Sequence, residues 1–141
     1  MLEGFQLRDV PFAPCAVVNE TTPLRVVADL VRGGGLEVVL MEDLEGGGLR
    51  GVVPGDSVLR MAARIPDAPV RLLPTQYVME VPPLLTLLDA LELVAQPDVA
   101  ALALPLEQGW SVVLREGLTR LDAVTLAPVI VNREKRISGI R

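Results

Sequence analysis

The stretch LRVVADLVRGGGLEVV (24–39) returns in outline as LLDALELVAQPDVAAL (87–102), and this pairing decides how the chain folds. Leu24, Val27, Ala28, Leu30 and Val31 match Leu87, Ala90, Leu91, Leu93 and Val94 position by position at an offset of 63. Leu36 and Val39 match Val99 and Leu102 in the same register. Leu24, Val27, Ala28 and Val31 follow i, i+3, i+4, i+7, the spacing that lines one face of an α-helix. Further on, Gly51-Val52-Val53 matches Ser111-Val112-Val113 at an offset of 60, so the second copy has a shorter turn. Arg60 then falls on Arg120, and Met61 on Leu121. The chain is two copies of a unit of about 60 residues, a size at which one copy alone makes only a marginal core.

Both copies have the same grammar. In the first, residues 13–18 read as a strand. Thr22 is placed to cap a helix with Pro23 at its first position, and Gly33-Gly34-Gly35 ends it. Residues 36–41 and 49–53 form a hairpin around the polar turn 42–48. Asp56 or Ser57 is expected to cap a second helix running to about residue 63. In the second copy, residues 78–81 are the strand, and Pro82-Pro83 leads into a helix carrying Leu84, Leu87, Leu88, Leu91 and Val94. Gln96-Pro97 closes it. Residues 99–104 and 110–115 make the hairpin around Glu107-Gln108-Gly109, and a short helix runs to about residue 121. The proline-rich stretch 65–69 is a stiff connection. The domain reading is therefore a first repeat over 10–64, a linker over 65–76, a second repeat over 77–122 and an extension over 123–141.

Composition narrows the function. Half of the 141 residues are hydrophobic and mean hydropathy is +0.44, but aromatics are 3%, so the core must be Leu, Val and Ala. No apolar run approaches the ~18–20 residues of a membrane span, and Met1-Leu2-Glu3-Gly4-Phe5 does not resemble a secretory signal; the expected location is the cytoplasm. A net charge of −5 without a basic stripe argues against nucleic-acid partners. Histidine is absent, which removes Ser-His-Asp and Cys-His arrangements, His-based zinc sites and the commonest general base. Lys135, the single lysine, lies in a polar tail. Catalysis is not expected. Cys15, the single cysteine, reads as a small buried hydrophobe. The runs Gly33–Gly35 and Gly46–Gly48 lack the Lys-Ser/Thr of a phosphate loop and read as a helix end and a hairpin turn. Glu42, Asp43 and Glu45 lack calcium-loop spacing and read as a solvated turn.

The order and spacing of these elements over residues 10–121 resemble a CBS-domain pair, or Bateman module. Thr22-Pro23-Leu24, the strand 36–41, the acidic-glycine turn, Gly51-Val52-Val53 and Leu59-Arg60 carry the resemblance. It implies an α/β sandwich of two pseudo-symmetric βαββα repeats packed as one module, with clefts between the copies and a homodimer of modules. It also implies a regulatory role: sensing AMP, ADP, ATP or S-adenosylmethionine and signalling to a partner protein. The family pattern at the strand-to-helix turn is Gly-hydrophobic-x-Thr/Ser-x-x-Asp. Its hydroxyl and Asp positions fall on Pro54 and Ser57 in the first copy, and on Leu114 and Gly117 in the second. By this resemblance the ligand-binding candidates are Val53, Pro54, Asp56 and Ser57 in the first turn, and Val113, Leu114 and Arg115 in the second. Trp110 joins them as a ring on the entering strand, able to stack on a base or to pack as core. Arg115 is the expected phosphate partner. The alternative reading is a ligand-free dimerisation or scaffold module with degenerate nucleotide sites. In the extension, residues 127–131 read as a strand, and the basic tail 132–141 as an ordered extension or a docking segment for an acidic partner.

Overall fold

The computed structural model describes residues 4–43, 47–107 and 109–120. Leu121, the expected strand at 127–131, the basic tail, Glu45, Gly46 and Gln108 lie outside the described residues. The chain divides into two compact units. One is residues 13–78; the other joins the N-terminal residues through Phe12 to the chain from Met79 on.

The first unit runs β1 (Cys15–Asn19), α1 (Leu24–Gly34), β2 (Val38–Glu42), β3 (Leu49–Pro54) and α2 (Gly55–Ala62). Its sheet has the order β1-β2-β3. β1 and β2 are parallel with Val17 opposite Leu40, so α1 is the crossover that parallel pairing requires. β2 and β3 form an antiparallel hairpin with Leu40 opposite Val52. Leu24, Val27, Ala28 and Val31 do make the buried face of α1, packed with Val39, Met41, Val53, Val58 and Leu73. Gly35 ends α1 in the left-handed conformation (φ 58°), its N–H donating to the Val31 carbonyl, a conformation in which glycine avoids a Cβ penalty.

The start of α1 differs from the expectation. Pro23, in extended backbone, is the N-cap, and neither it nor Thr22 caps with a side chain. The first helical N–H groups are satisfied from outside the helix: Leu24 donates to the Ala68 carbonyl at 2.8 Å and Arg25 to Pro66 at 2.9 Å. The proline-rich stretch thus supplies the acceptors a capping side chain would have given. α2 likewise begins at Gly55 with Pro54 as an uncapped N-cap, rather than after a capping Asp56 or Ser57. The Gly55 N–H donates to the Glu37 carbonyl at 2.8 Å.

The second set of elements is β4 (Tyr77–Glu80), α3 (Leu87–Val94), β5 (Val99–Leu106), β6 (Gly109–Leu114) and α4 (Arg115–Thr119). The sheet order is β4-β5-β6, with β5 and β6 antiparallel. α3 starts later than Pro82-Pro83 suggests. Thr86 is its N-cap, and the Thr86 hydroxyl oxygen accepts from the Asp89 N–H at 3.2 Å. Leu84 therefore precedes the helix, and is exposed. Leu87, Ala90 and Val94 are its buried face.

The duplication extends to segments outside the sandwich elements. A 3-10 turn at Val70–Leu72 in the first unit has a counterpart at Leu7–Asp9 in the second. Leu87 N–H donates to the Phe5 carbonyl at 2.9 Å, matching Leu24 on Ala68, and Leu7 N–H donates to Leu85, matching Val70 on Thr22. Phe5, Leu7 and Val10 belong to the second core, with Leu87, Leu102, Leu104, Val113 and Leu118. Each helix start is thus clamped by the segment that leads into the other repeat. Among the described residues no helix is long and apolar enough to cross a membrane.

Candidate functional site

Both candidate turns form where a sheet strand runs straight into a helix. In the first, Val52 exchanges both backbone hydrogen bonds with Gln76, at 2.8 and 3.0 Å. This crossing is close because Gly51 has no side chain: a Cβ there would lie 2.7 Å from the Thr75 Cβ and 2.8 Å from the Gln76 carbonyl oxygen. Val53 is fully buried. Pro54 is half-buried and carries no N–H. Gly55 is buried, and a Cβ on it would lie 2.6 Å from the Leu36 carbonyl oxygen. Asp56 is exposed, and Ser57 is half-buried with its Oγ accepting from Arg60 Nη2 at 3.3 Å. Val53, Pro54, Asp56 and Ser57 therefore share one turn, shaped by two glycines whose role is close backbone packing.

The second turn has different chemistry. Val113 is buried, Leu114 is half-buried, and Gly117 is exposed without a polar side chain. The Arg115 Nε donates to the Val99 carbonyl at 2.8 Å, and its Nη2 donates to the Gln96 carbonyl. Gln96 lies in the connection between α3 and β5, and Val99 opens β5. Arg115 thus ties that loop to the start of α4, and two of its donors are committed within the protein. Trp110 is half-buried opposite Pro105 near the start of β6. Four residues of strand, about 13 Å, separate it from Leu114.

Beside Ser57 the first unit has an open groove of about 550 Å³, lined by Ser57, Arg60, Met61, Arg64, Leu73 and Pro74 among others. Its arginines stand out electrostatically. Elsewhere in this unit Arg25 pairs with Asp67 at 3.1 Å, Arg32 with Asp29 at 3.4 Å and Arg50 with the buried Glu20 at 2.6 Å. Arg60 and Arg64 make no ion pair among the described residues, and neither does Arg71, which is not part of the groove lining. Arg60 enters the sequence reading only as a repeat marker and Arg64 not at all; the available signal is two arginines four residues apart at the end of α2, with no acidic residue between Ser57 and Arg64.

The remaining candidates have structural roles. Burial pushes the Cys15 thiol up to about 11, against a smaller opposing hydrogen bond from the Leu40 backbone, which is the reverse of the depressed value a reactive thiol needs. Asp43 closes the β2–β3 turn through backbone hydrogen bonds with Gly47 and Gly48. Among the described residues there is no cluster of metal-ligating side chains.

No family model matches the chain, and no curated protein matches its sequence. Solved structures do match. The chain resembles a hemolysin-like protein containing a CBS domain from Oenococcus oeni PSU, with a TM-score of 0.65 at 14% identity, over 83% of this chain and 89% of that one. The CBS domain of a putative transporter from Clostridium difficile 630 gives a TM-score of 0.64 at 12% identity, covering 84% and 93%. A CBS domain-containing protein of unknown function from Kribbella flavida gives 0.59 at 17% identity, covering 79% and 94%. At such identities the likeness is one of fold, and with the duplicated βαββα units it shows that this chain has the fold of a CBS-domain pair.

Proposed function

We propose that this chain is a regulatory CBS pair that binds a small adenine-nucleotide or adenosyl ligand and passes the change to a partner protein, working as a homodimer. The observation that carries the reading is the first strand-to-helix turn. Ser57 holds a half-buried hydroxyl in the first turn of α2, at the position where the family pattern places the ribose-binding carboxylate. A hydroxyl there both donates and accepts, so it can pair with a ribose hydroxyl. The second turn supports the reading less, because Arg115 already serves two backbone carbonyls. The anchor in this reading is therefore in the first repeat, at Val53, Pro54, Asp56 and Ser57, rather than beside Arg115.

A second reading, a ligand-free dimerisation scaffold, is favoured by Pro54, which offers neither a hydroxyl nor an N–H, and by Leu114 and Gly117. Calorimetry with AMP, ADP, ATP and S-adenosylmethionine separates the two. The regulatory reading expects saturable binding by at least one of them, weakened about fivefold in Ser57→Ala, the value of one ordinary hydrogen bond. Absence of binding at millimolar concentration, with a dimer in sedimentation that ignores all four compounds, supports the scaffold.

A further inference from the structure

We propose that the groove along α2 is an anion site in its own right, one that holds a small molecule bearing two linked oxyanion groups, of diphosphate type, joined to an apolar portion. Three observations converge on this. First, the cations are unneutralised. Of the six arginines in residues 13–78, Arg25, Arg32 and Arg50 each have a carboxylate partner, while Arg71, which has none among the described residues, is not part of the groove lining. Arg60 meets only the Ser57 hydroxyl, and Arg64 has no side-chain partner among the described residues. On a chain of net charge −5, two free guanidiniums on one groove wall form a local field of opposite sign to the whole.

Second, the two share one groove. Arg60 lies in the last turn of α2 and Arg64 in the turn just past its C-cap Ala63, and both line the same opening, so two guanidiniums are available to two linked phosphoryl groups rather than one. Guanidinium forks recognise such oxygens with charge-assisted hydrogen bonds. Third, the rest of the groove is apolar. Met61, Leu73 and Pro74 line it, and its volume of about 550 Å³ lies within the usual range for small-molecule sites. The groove shares Ser57 with the strand-to-helix turn, but its arginines and its apolar wall lie beyond that turn within one repeat unit, so the anion contacts stand whether or not the turn itself takes a nucleotide.

The test is titration of the whole chain with inorganic pyrophosphate, followed by calorimetry and by amide chemical shifts. Phosphate, dimethylallyl diphosphate and adenosine serve as comparison probes. Pyrophosphate is expected to bind more tightly than phosphate, dimethylallyl diphosphate more tightly still, and adenosine not to move the amides of Arg64 and Leu73. Shifts should centre on Ser57, Met61, Arg64 and Leu73. Arg60→Gln and Arg64→Gln should each weaken pyrophosphate binding about tenfold, as loss of a charge-assisted contact does. Both side chains are on exposed residues, so the thermal midpoint should hold. Arg25→Gln, which removes an ion-paired arginine, should leave binding unchanged. The proposal is overturned by any of three results: no pyrophosphate binding at millimolar concentration, equal binding by the Arg60→Gln/Arg64→Gln double variant, or wild-type shifts that fall away from the groove.

Discussion

At the scale of single residues, the candidate turn depends on what is missing as much as on what is present. Gly55 is required because α2 begins against the Leu36–Glu37 backbone. An added Cβ would sit 2.6 Å from the Leu36 carbonyl oxygen and 3.2 Å from a Val31 methyl. Backbone cannot yield as a side-chain tip can, so Gly55→Ala should destabilise the first unit by about 1–3 kcal/mol, the usual cost of overpacking, read by denaturant unfolding. Cys15 gives a second expectation at this scale. Burial disfavours the thiolate and pushes the thiol up from its ordinary 9.0 to about 11. The sign follows: below 9.0 the thiol is protonated folded or unfolded, and its contribution to stability is full. Above that the unfolded chain ionises first, and the contribution is lost as pH rises through about 11. Alkylation by iodoacetamide at pH 8 should be much slower in the native protein than in urea; equal rates would show an open thiol. The sequence shows Gly55 as a turn residue and Cys15 as a small hydrophobe. That Gly55 faces residue 36, or that Arg115 reaches back to Gln96, depends on contacts between positions far apart in the chain, which local pattern does not encode.

At the scale of elements, the faces of the helices were legible and their beginnings were not. The i, i+3, i+4, i+7 pattern from Leu24 finds the buried stripe of α1 because burial imposes the helical period on side-chain type. Where a helix begins is set by whoever satisfies its free N–H groups. In α1 that partner is the backbone of residues 66–68, about forty positions away, and Thr22 is passed over. In α3 it is local, and the Thr86-x-x-Asp89 spacing does mark the start, while Pro82-Pro83 upstream points to an earlier one. The two helices therefore respond differently to the same kind of change. Thr86→Ala removes the acceptor of the Asp89 N–H and should cost about 1 kcal/mol, seen as a lower unfolding midpoint with no change in α1. Thr22→Ala should cost far less, since its side chain caps nothing.

At the scale of the whole molecule, the duplication that fixes the fold runs further than the helix-and-hairpin pattern. Leu7-Arg8-x-Val10-Pro11 and Val70-Arg71-x-Leu73-Pro74 share the same offset of 63 as the helices, a signal outside a comparison that begins at Leu24. Its physical meaning is an exchange of clamps along the chain. The segment ahead of β1 closes the second core, and the segment ahead of β4 closes the first. Deleting residues 1–11 should therefore damage the distant repeat and spare the adjacent one. Phe5, Leu7 and Val10 are all buried in the second core, and each buried side chain of this kind is worth roughly 1.5–3 kcal/mol, figures that count as upper estimates against a realistic unfolded chain. Together they are comparable with the marginal stability of a whole domain. Removing them also strips the Phe5 acceptor from the start of α3. Hydrogen exchange reads the outcome by element: amides of α3 and β5 should lose protection, while those of α1 and β2, whose clamp at residues 66–73 remains, should keep more of theirs. If α3 keeps full protection without residues 1–11, the exchanged clamp is not what holds the second repeat together.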